Sequence, residues 1–246
     1  MIDVEALTKM YGDLAAVNKL SFHVAAGEVL GLVGPNGAGK TTTLRALAGI
    51  GIPTSGRIRI NGRDMGTHPT NAKAALAFIP DEPQLFDYLT VDEHLLFVGR
   101  LYRVEDVAAR MTPLLDELEL SGKRNALPAE LSRGMKQKLA IACGLVHNPR
   151  ALILDEPLTG LDPVGIRRMR ATIAERARNG TAVILSSHLL HLVEELCTKV
   201  LVMQNGHRVA YGSIEEISSS VPSLAGQGLE DVFIALTSRG DDPSAR

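Results

Sequence analysis

Residues 34–41 have the types and the spacing that bind phosphate. A glycine is followed after four residues by a second glycine, a lysine and a threonine, between an apolar run and a helix-like run. Glycines let the backbone wrap closely and point N–H groups inward, and a helix N-terminus adds partial positive charge. This pattern is typical of the P-loop, in which Lys40 would reach the β- and γ-phosphates and the Thr41 hydroxyl would hold Mg²⁺. The alternative is a glycine-rich turn with a nearby lysine.

Two adjacent carboxylates, Asp155 and Glu156, follow the apolar run at residues 152–154. At the end of a strand, Asp155 can hold Mg²⁺ directly or through water. Glu156, which points elsewhere, can orient or deprotonate an attacking water. An ordinary acidic loop after a strand is the alternative, and the P-loop in the same chain favours the catalytic interpretation.

Three further residues become candidates only in combination with these motifs. His188 follows the apolar run at residues 182–185, and strand ends face the ligand crevice in an open α/β sheet. It could donate a hydrogen bond to the γ-phosphate, with a structural histidine as the alternative. Ser132 is a good helix N-cap and Gly134 allows close approach of the backbone. On their own, these two residues indicate only the start of a helix.

The apolar pattern around the motifs predicts an α/β core. Strands are predicted at residues 2–7, 20–24, 29–33, 57–60, 76–79, 151–154, 182–185 and 200–203. Helices are predicted at residues 42–47, 169–177 and 189–196. Strands that alternate with helices imply a mostly parallel sheet with right-handed crossovers. Between residues 91 and 145 the apolar residues recur at helical spacing, which predicts a helical lobe inserted into this core.

Length, charge and cysteine content limit the class of protein. At 246 residues the chain can bury a sizeable core, and its net charge of −2 argues against a general nucleic-acid binder. No run of about 18 apolar residues is present, so we expect no membrane span. The acidic start of the chain does not have the character of a signal peptide. Cys143 and Cys197 lack metal-ligand spacing and are predicted to be reduced, buried thiols.

In this order, the motifs resemble those of the nucleotide-binding subunits of ABC transporters, over about residues 1–236. The resemblance assigns nucleotide binding to Tyr11, Gly34, Pro35, Asn36, Gly37, Ala38, Gly39, Lys40, Thr41 and Thr42. In the family, the aromatic residue at the position of Tyr11 stacks on adenine. Catalysis is assigned to Glu156, His188 and Lys40, and metal binding to Thr41 and Asp155.

The resemblance further implies that two cassettes, identical or paralogous, face each other head to tail. Each ATP would lie between the P-loop of one subunit and the signature residues Ser132 and Gly134 of the other. Asp162 belongs to the loop at residues 159–162 that crosses between subunits in the family. ATP and Mg²⁺ are the implied cofactors, and ATP hydrolysis to ADP and phosphate is the implied reaction.

A separate integral membrane permease is the second implied partner, docked near Asp81 and the helical lobe, and no nucleic-acid partner is expected. The chain would then be a cytoplasmic, peripheral protein at the inner face of the cell membrane. The tail at residues 229–237 is similar to tails in the drug- and antibiotic-export branch, which favours an exporter.

The resemblance also sets domain boundaries. A single ABC ATPase domain would cover residues 1–236, with an α/β core at 1–87 and 148–217 and a helical subdomain at 88–147. Residues 1–30 and 57–62 would form an antiparallel β portion. The tail at residues 218–246 is weakly patterned, and its last residues, 240–246, are expected to be disordered.

Two places depart from the family pattern. Asp81 occupies the position where the family usually has a glutamine, and a carboxylate there could still bind Mg²⁺. Arg133 and Met135 replace the usual glycine and glutamine of the signature motif. Arg133 adds positive charge beside the expected contact with the partner's phosphate.

Two other classes of protein share part of the pattern. A soluble ABC ATPase of translation or DNA repair commonly has two cassettes or long coiled-coil insertions, whereas this chain has one short cassette. A small-molecule P-loop kinase should lack the Ser132 motif and the loop at residues 159–162. Co-purification with a polytopic membrane protein separates a transporter subunit from the first class, and a phosphorylated product would indicate the second.

Overall fold

The computed structural model describes residues 1–219 and 228–238. The strands in these residues are β1 (Ile2–Tyr11), β2 (Leu14–Val24), β3 (Val29–Val33), β4 (Ser55–Ile60), β5 (Arg63–Asp64), β6 (Leu76–Ile79), β7 (Ala151–Asp155), β8 (Ala182–Ser186), β9 (Lys199–Gln204) and β10 (His207–Gly212). The α-helices are α1 (Lys40–Leu47), α2 (Pro69–Ala74), α3 (Val91–Leu101), α4 (Val107–Glu117), α5 (Arg133–Leu145), α6 (Pro163–Arg178), α7 (Leu190–Leu196), α8 (Ile214–Ser219) and α9 (Leu229–Ser238).

A six-stranded sheet of order β10-β9-β3-β8-β7-β6 forms the centre of the molecule. Five of these strands run parallel, and β10 pairs antiparallel with β9. Every residue of β3, β7 and β8 is buried, as their continuous apolar runs predict. Leu152 and Leu154 face one hydrophobic cluster, and Ala151 and Ile153 face a second on the other side of the sheet. The predicted α/β fold with a mostly parallel core sheet is confirmed.

An antiparallel sheet of order β2-β1-β4-β5 packs against one side of this core. The strand predictions at residues 2–7 and 20–24 were too short, because β1 continues to Tyr11 and β2 begins at Leu14. Ala6 and Lys19 have φ angles of 48° and 46°, and the register of the pair shifts between Val4 and Met10. These irregularities interrupt the two-residue alternation that defines a strand in sequence. Tyr11 therefore ends a strand and is not part of a connecting loop.

Helices α3, α4 and α5 lie between β6 and β7 in the chain, where helical spacing predicts them. Their apolar side chains belong to the same hydrophobic cluster as one face of the parallel sheet. Two ion pairs also join this segment to α6: Glu119 contacts Arg168 at 2.9 Å and Glu117 contacts Arg176 at 2.5 Å. The division into a core and a helical subdomain at residues 88 and 147 stays a prediction, because packing is continuous across both boundaries.

The C-terminal region contains a helix that the sequence pattern did not predict. Helix α9 packs through Leu229 and Val232, which are fully buried, and Gln204 Nε2 donates to the Thr237 carbonyl at 2.8 Å. The tail expected to be weakly patterned is thus helical in part. The sequence does not reveal this helix because one so short has too few buried residues to show a clear helical period. The disorder predicted for residues 240–246 concerns a segment outside the described residues.

Among residues 1–219 and 228–238, no helix has both the length and the apolar character that crossing a bilayer requires. The two cysteines are free, and burial raises the pKa of both thiols to about 12 although each residue is partly exposed. Both thiols are therefore protonated and weakly nucleophilic near neutral pH.

Candidate nucleotide-binding and catalytic site

The P-loop connects the C-terminal end of β3 to the N-terminus of α1. Gly37 and Gly39 have φ angles of 80° and 99°, and Gly39 is the N-cap of α1. A Cβ atom on Gly39 would lie 2.3 Å from the Ala16 carbonyl oxygen, and one on Gly34 would lie 2.4 Å from that of Met203. Only glycine fits at Gly34 and Gly39, because strands β2 and β9 approach the loop so closely.

The open side of the loop holds most of the residues predicted to surround the phosphates. The exposed members are Pro35, Asn36, Gly37 and Thr41, and the half-exposed ones are Gly34, Gly39, Lys40 and Thr42. Ala38 is buried and anchors the loop in the core. Helix α1 has no acidic residue in its first turn, so no side chain there offsets the partial positive charge of the helix N-terminus. This end of α1 is therefore suited to an anion.

Lys40 places a cation between the loop and the acidic pair. Its Nζ atom donates to the carbonyl oxygens of Gly34 at 2.6 Å and Pro35 at 3.2 Å. Burial lowers the pKa of Lys40, and the negative charges of Glu156 and Asp155 oppose that shift. The influence of both carboxylates shows that the P-loop lysine and the acidic pair share one electrostatic environment.

The acidic pair lies where β7 ends. Asp155 is only 5% exposed, and its Oδ1 atom accepts a hydrogen bond from Ser186 Oγ at 2.5 Å. Glu156 follows with a φ angle of 49°, and its backbone N–H donates to the same Ser186 Oγ at 3.0 Å. A residue other than glycine in this conformation costs about 1–3 kcal/mol and is often found at functional sites.

His188 contacts the carboxylate of Glu156. The distance from His188 Nδ1 to Glu156 Oε2 is 2.8 Å, and Nδ1 is the donor because a carboxylate only accepts. The imidazole is 64% exposed, so the ring orients Glu156 from the solvent side. The turn after β8 positions the histidine, since Ser187 Oγ accepts from the Leu189 N–H at 3.1 Å.

The donor atoms between the P-loop and the acidic pair fit Mg²⁺. The described residues contain no group of three or more histidine, cysteine, aspartate or glutamate side chains that could hold a metal ion. The Thr41 hydroxyl and the Asp155 carboxylate would instead share the ion with phosphate oxygens, and all of these are the hard ligands that Mg²⁺ prefers. Ser186 occupies Oδ1 of Asp155, and Oδ2 is the oxygen left for a metal or its water. The two metal-ligand assignments stay predictions.

Tyr11 lies at the end of the β1–β2 hairpin, paired with Leu14. Its side chain is 57% exposed, and Lys9 Nζ lies 5.0 Å from the centre of its ring. The hairpin contacts the P-loop because Ala16 of β2 packs against Gly39. An exposed aromatic ring beside a phosphate-binding loop can stack on a nucleotide base, and the adenine contact predicted for Tyr11 is consistent with this position.

The signature residues lie at the N-terminus of α5. Ser132 is exposed and caps the helix, its Oγ accepting from the Met135 N–H at 3.3 Å. A Cβ atom on Gly134 would lie 3.1 Å from the carbonyl oxygen of Gly160, so this helix end packs against the loop at residues 159–162. Within residues 1–219 and 228–238, no hydrogen bond or ion pair joins Ser132 or Gly134 to the P-loop.

Asp162 caps helix α6. Its side chain accepts from the Gly165 N–H at 2.7 Å, and the residue is exposed. Helix α6 begins at Pro163 and not at residue 169 as predicted, because an aspartate cap followed by proline starts a helix without any apolar residue. The predicted contact of Asp162 with a second subunit stays a prediction.

Asp81 lies in the loop after β6, and its charged neighbour is Arg133. Arg133 Nη2 is 3.8 Å from Asp81 Oδ1, and both side chains are substantially exposed. The Arg133 side chain also lies against Gly160, with its Cδ atom 3.2 Å from the position of a Cβ there. The two departures from the family pattern therefore face each other. No ion pair or hydrogen bond of the described residues links Asp81 to Thr41 or Asp155, and its metal role stays a prediction.

Ser186 is a candidate functional residue that the sequence analysis missed. The sequence analysis considers the run at residues 182–185 and His188 but does not single out the serine between them. The available signal was a polar residue at the C-terminal end of a buried apolar strand, which is where ligand-facing side chains lie in parallel sheets.

Comparison with known proteins identifies the family. A family model described as ABC transporter matches residues 17–159. Nod factor export ATP-binding protein I of Paraburkholderia xenovorans (strain LB400) is 39% identical over 250 residues, which cover 99% of this chain and 78% of that protein. ABC-type transporter ATP-binding protein EcsA of Bacillus subtilis (strain 168) is 32% identical over 239 residues, which cover 96% of each chain.

Solved structures also show similarity to ABC transporter ATP-binding subunits. A structure described as the ATP-binding subunit of an ABC transporter matches with a TM-score of 0.92 and 33% identity, over 96% of this chain and 99% of that one. A dimeric ATP-binding cassette in a post-hydrolysis state bound to ADP and Pi matches with a TM-score of 0.79, over 87% of this chain and 99% of that one. At 22% identity, this second likeness shows the fold alone. The chain belongs to the ABC transporter family as one of its ATP-binding, ATP-hydrolysing subunits.

Proposed function

We propose that this subunit forms half of an ATP-driven clamp that powers export through a separate membrane permease. Two copies, or one copy and a paralogue, face each other head to tail. Each ATP is held by the P-loop of one subunit and by Ser132, Gly134 and Asp162 of the other. The observation on which this rests is the separation within one chain. Lys40 and the Asp155–Glu156 pair share one electrostatic environment, whereas Ser132 is exposed, Gly134 is half-exposed, and neither has a hydrogen bond to the P-loop in the described residues.

The arrangement of Lys40, Asp155 and Glu156 is suited to ATP hydrolysis. The Lys40 ammonium and the N-terminus of α1 bind the β- and γ-phosphates. Glu156, oriented by His188, accepts a proton from the attacking water, whose oxygen bonds to the γ-phosphorus while the bond to ADP breaks. Mg²⁺, when bound between Thr41 and Asp155, neutralises charge on the phosphates. ADP and phosphate are the products, and their release opens the clamp.

The surface next to the Asp81 loop supports docking of a protein partner. We call it the aromatic patch, and it consists of Phe86, Tyr88, Phe97 and Leu101. Tyr88 is 91% exposed, and a cavity of about 550 Å³ lies between the loop after β6 and Phe97 of α3. Exposed apolar surface of this kind marks interaction sites in soluble domains. A permease helix or loop that reaches the inner face of the membrane is the occupant we propose.

Export is the direction that the relatives favour. Four of the relatives above 38% identity are named as Nod factor export proteins, and the tail at residues 229–237 resembles that of export subunits. Helix α9 is part of that tail and packs on α7 and β10. The subunit would act in the cytoplasm, bound to the inner face of the cell membrane through its permease.

Loss of membrane attachment tests the proposal. The tagged chain should remain on native membranes after a low-salt wash and should co-purify with a polytopic membrane protein. Replacing both Tyr88 and Phe97 by serine should release the chain while ATP hydrolysis in solution is retained. Ile52→Ser is the matched control, since Ile52 is 82% exposed but lies away from the aromatic patch. A wild-type chain with no membrane protein attached would favour a soluble ABC ATPase instead.

A further inference from the structure

The Ser186 hydroxyl joins the two acidic residues of the site. It donates to Asp155 Oδ1 at 2.5 Å and accepts from the Glu156 N–H at 3.0 Å. Ser186 is fully buried, so both hydrogen bonds are made by a hydroxyl that is shielded from solvent. A serine hydroxyl has one proton to donate, and here that proton is committed to one oxygen of one carboxylate.

The register of the parallel sheet places this hydroxyl. Asp155 and Ser186 are partners at the last position of the β7–β8 pair. Because partners in register point to the same face of a sheet, the serine meets the carboxylate directly at the C-terminal edge, where ligands bind in such folds. The contact is therefore a consequence of the core sheet and not of a loop.

The same hydroxyl supports the strained backbone of Glu156. That residue has a φ angle of 49°, and its peptide groups are held at both ends. Its N–H donates to Ser186, and its carbonyl oxygen accepts from the Thr159 N–H at 3.2 Å. Strained conformations persist only where surrounding contacts fix them, and Ser186 supplies one of the two contacts here.

We propose that Ser186 is a positioning residue for ATP hydrolysis. By holding Oδ1, it turns Oδ2 of Asp155 toward the metal that accompanies ATP, and through the Glu156 N–H it fixes the direction of the catalytic carboxylate. This inference rests on the proposed function, because it assumes that Asp155 serves Mg²⁺ and that Glu156 acts on water. Removing the hydroxyl leaves a buried N–H and a buried carboxylate oxygen without a partner.

Four variants of the full-length chain isolate the hydroxyl. Ser186→Ala removes it, and Ser218→Ala is the matched control, because Ser218 is also buried but lies in α8, which packs against α9 and β10. Ser186→Thr and Ser186→Val introduce side chains of nearly the same shape, of which only threonine has a hydroxyl. Thermal unfolding without nucleotide reports whether each variant folds. The binding of a fluorescent, non-hydrolysable ATP analogue is then measured in EDTA and in rising Mg²⁺.

In the Ser186→Ala and Ser186→Val variants, the Mg²⁺ concentration needed to tighten analogue binding should rise about 10- to 100-fold, the usual effect of losing a partner that orients a metal ligand. Binding in EDTA should be unchanged, and hydrolysis should fall. Ser218→Ala and Ser186→Thr should behave as wild type. If Ser186→Ala is unfolded, the threonine and valine pair decides the question.

Two results would overturn the proposal. Equal Mg²⁺ dependence in the threonine and valine variants would show that the hydroxyl has no positioning role. If the wild-type chain still hydrolyses ATP in that case, the proposed function remains intact. A wild-type chain whose analogue binding does not respond to Mg²⁺ would overturn both this inference and the metal assignment on which it rests.

Discussion

The two halves of the nucleotide site differ in how the fold holds them. The half formed by Lys40, Asp155 and Glu156 is built at the N-terminus of α1 and the end of β7, and buried or partly buried hydrogen bonds fix it from several sides. The half formed by Ser132 and Asp162 lies on helix N-caps at the surface, where the hydrogen bond that each side chain makes within the described residues runs to its own helix. One half is therefore held in place within a single chain, and the other, under the proposed function, is left for a phosphate bound by another subunit.

Under the proposed function, this difference would let ATP act as a switch. The half held within one chain would bind nucleotide at any time, but the charge on the γ-phosphate would be fully surrounded only after a second cassette closes. ATP would then favour the closed dimer because it interacts with both halves at once, and hydrolysis would remove that preference. The predictions below test the half held within one chain first and then the contacts around the exposed half.

Glu156→Gln should have the largest effect. The amide keeps the shape of the side chain but cannot accept a proton, so hydrolysis should fall by about 100-fold or more while ATP binding is retained. Phosphate release and equilibrium ATP binding measure the two properties. Glu105→Gln, an exposed acidic residue before α4, is the control. Undiminished turnover in Glu156→Gln would remove this residue from the role of general base.

Lys40→Ala should weaken nucleotide binding itself. Loss of a charge-assisted hydrogen bond to phosphate should lower the affinity for ATP by about 10- to 100-fold. Titration with a fluorescent ATP analogue measures the change. Lys123→Ala, which removes an exposed lysine outside the P-loop, should bind as wild type. ATP affinity equal to wild type in Lys40→Ala would contradict the assignment of the P-loop lysine.

Asp81→Gln should have the smallest effect. Its contact with Arg133 spans 3.8 Å between exposed side chains, and exposed ion pairs contribute about 0–1 kcal/mol to the free energy of unfolding. Hydrolysis should therefore stay within about twofold of wild type. A cycle with Arg133→Gln measures the coupling of the two side chains. Complete loss of activity in Asp81→Gln would instead make this carboxylate a required metal ligand.

The sequence predicted the core strands beside Lys40, Asp155 and Glu156 correctly for a physical reason. The strands β3, β7 and β8 are buried on both faces, so their continuous apolar runs are visible in the sequence, and the motif residues follow directly at their ends. The predicted roles of Ser132 and Asp162 came from the family resemblance, because the residues around Ser132 by themselves indicated only the start of a helix.

The features that the sequence did not reveal depend on contacts between distant segments. The full length of β1 and β2 could not be predicted, because irregularities near Ala6 and Lys19 interrupt the two-residue alternation of the strands. Helix α9 depends on two buried residues that pack against the rest of the chain. Ser186 gains its position from the register of β7 and β8, which no local pattern records.

The size of the Glu156→Gln variant in solution, measured by light scattering with and without ATP, tests the shared site most directly. ATP should convert this variant from monomer to dimer, because it binds ATP without consuming it. Adding Ser132→Arg should keep the chain monomeric with ATP still bound, since the larger side chain blocks the partner's phosphate. An ATP-bound dimer in the double variant, or a Glu156→Gln chain that stays monomeric with ATP bound, would contradict a nucleotide site shared between two cassettes.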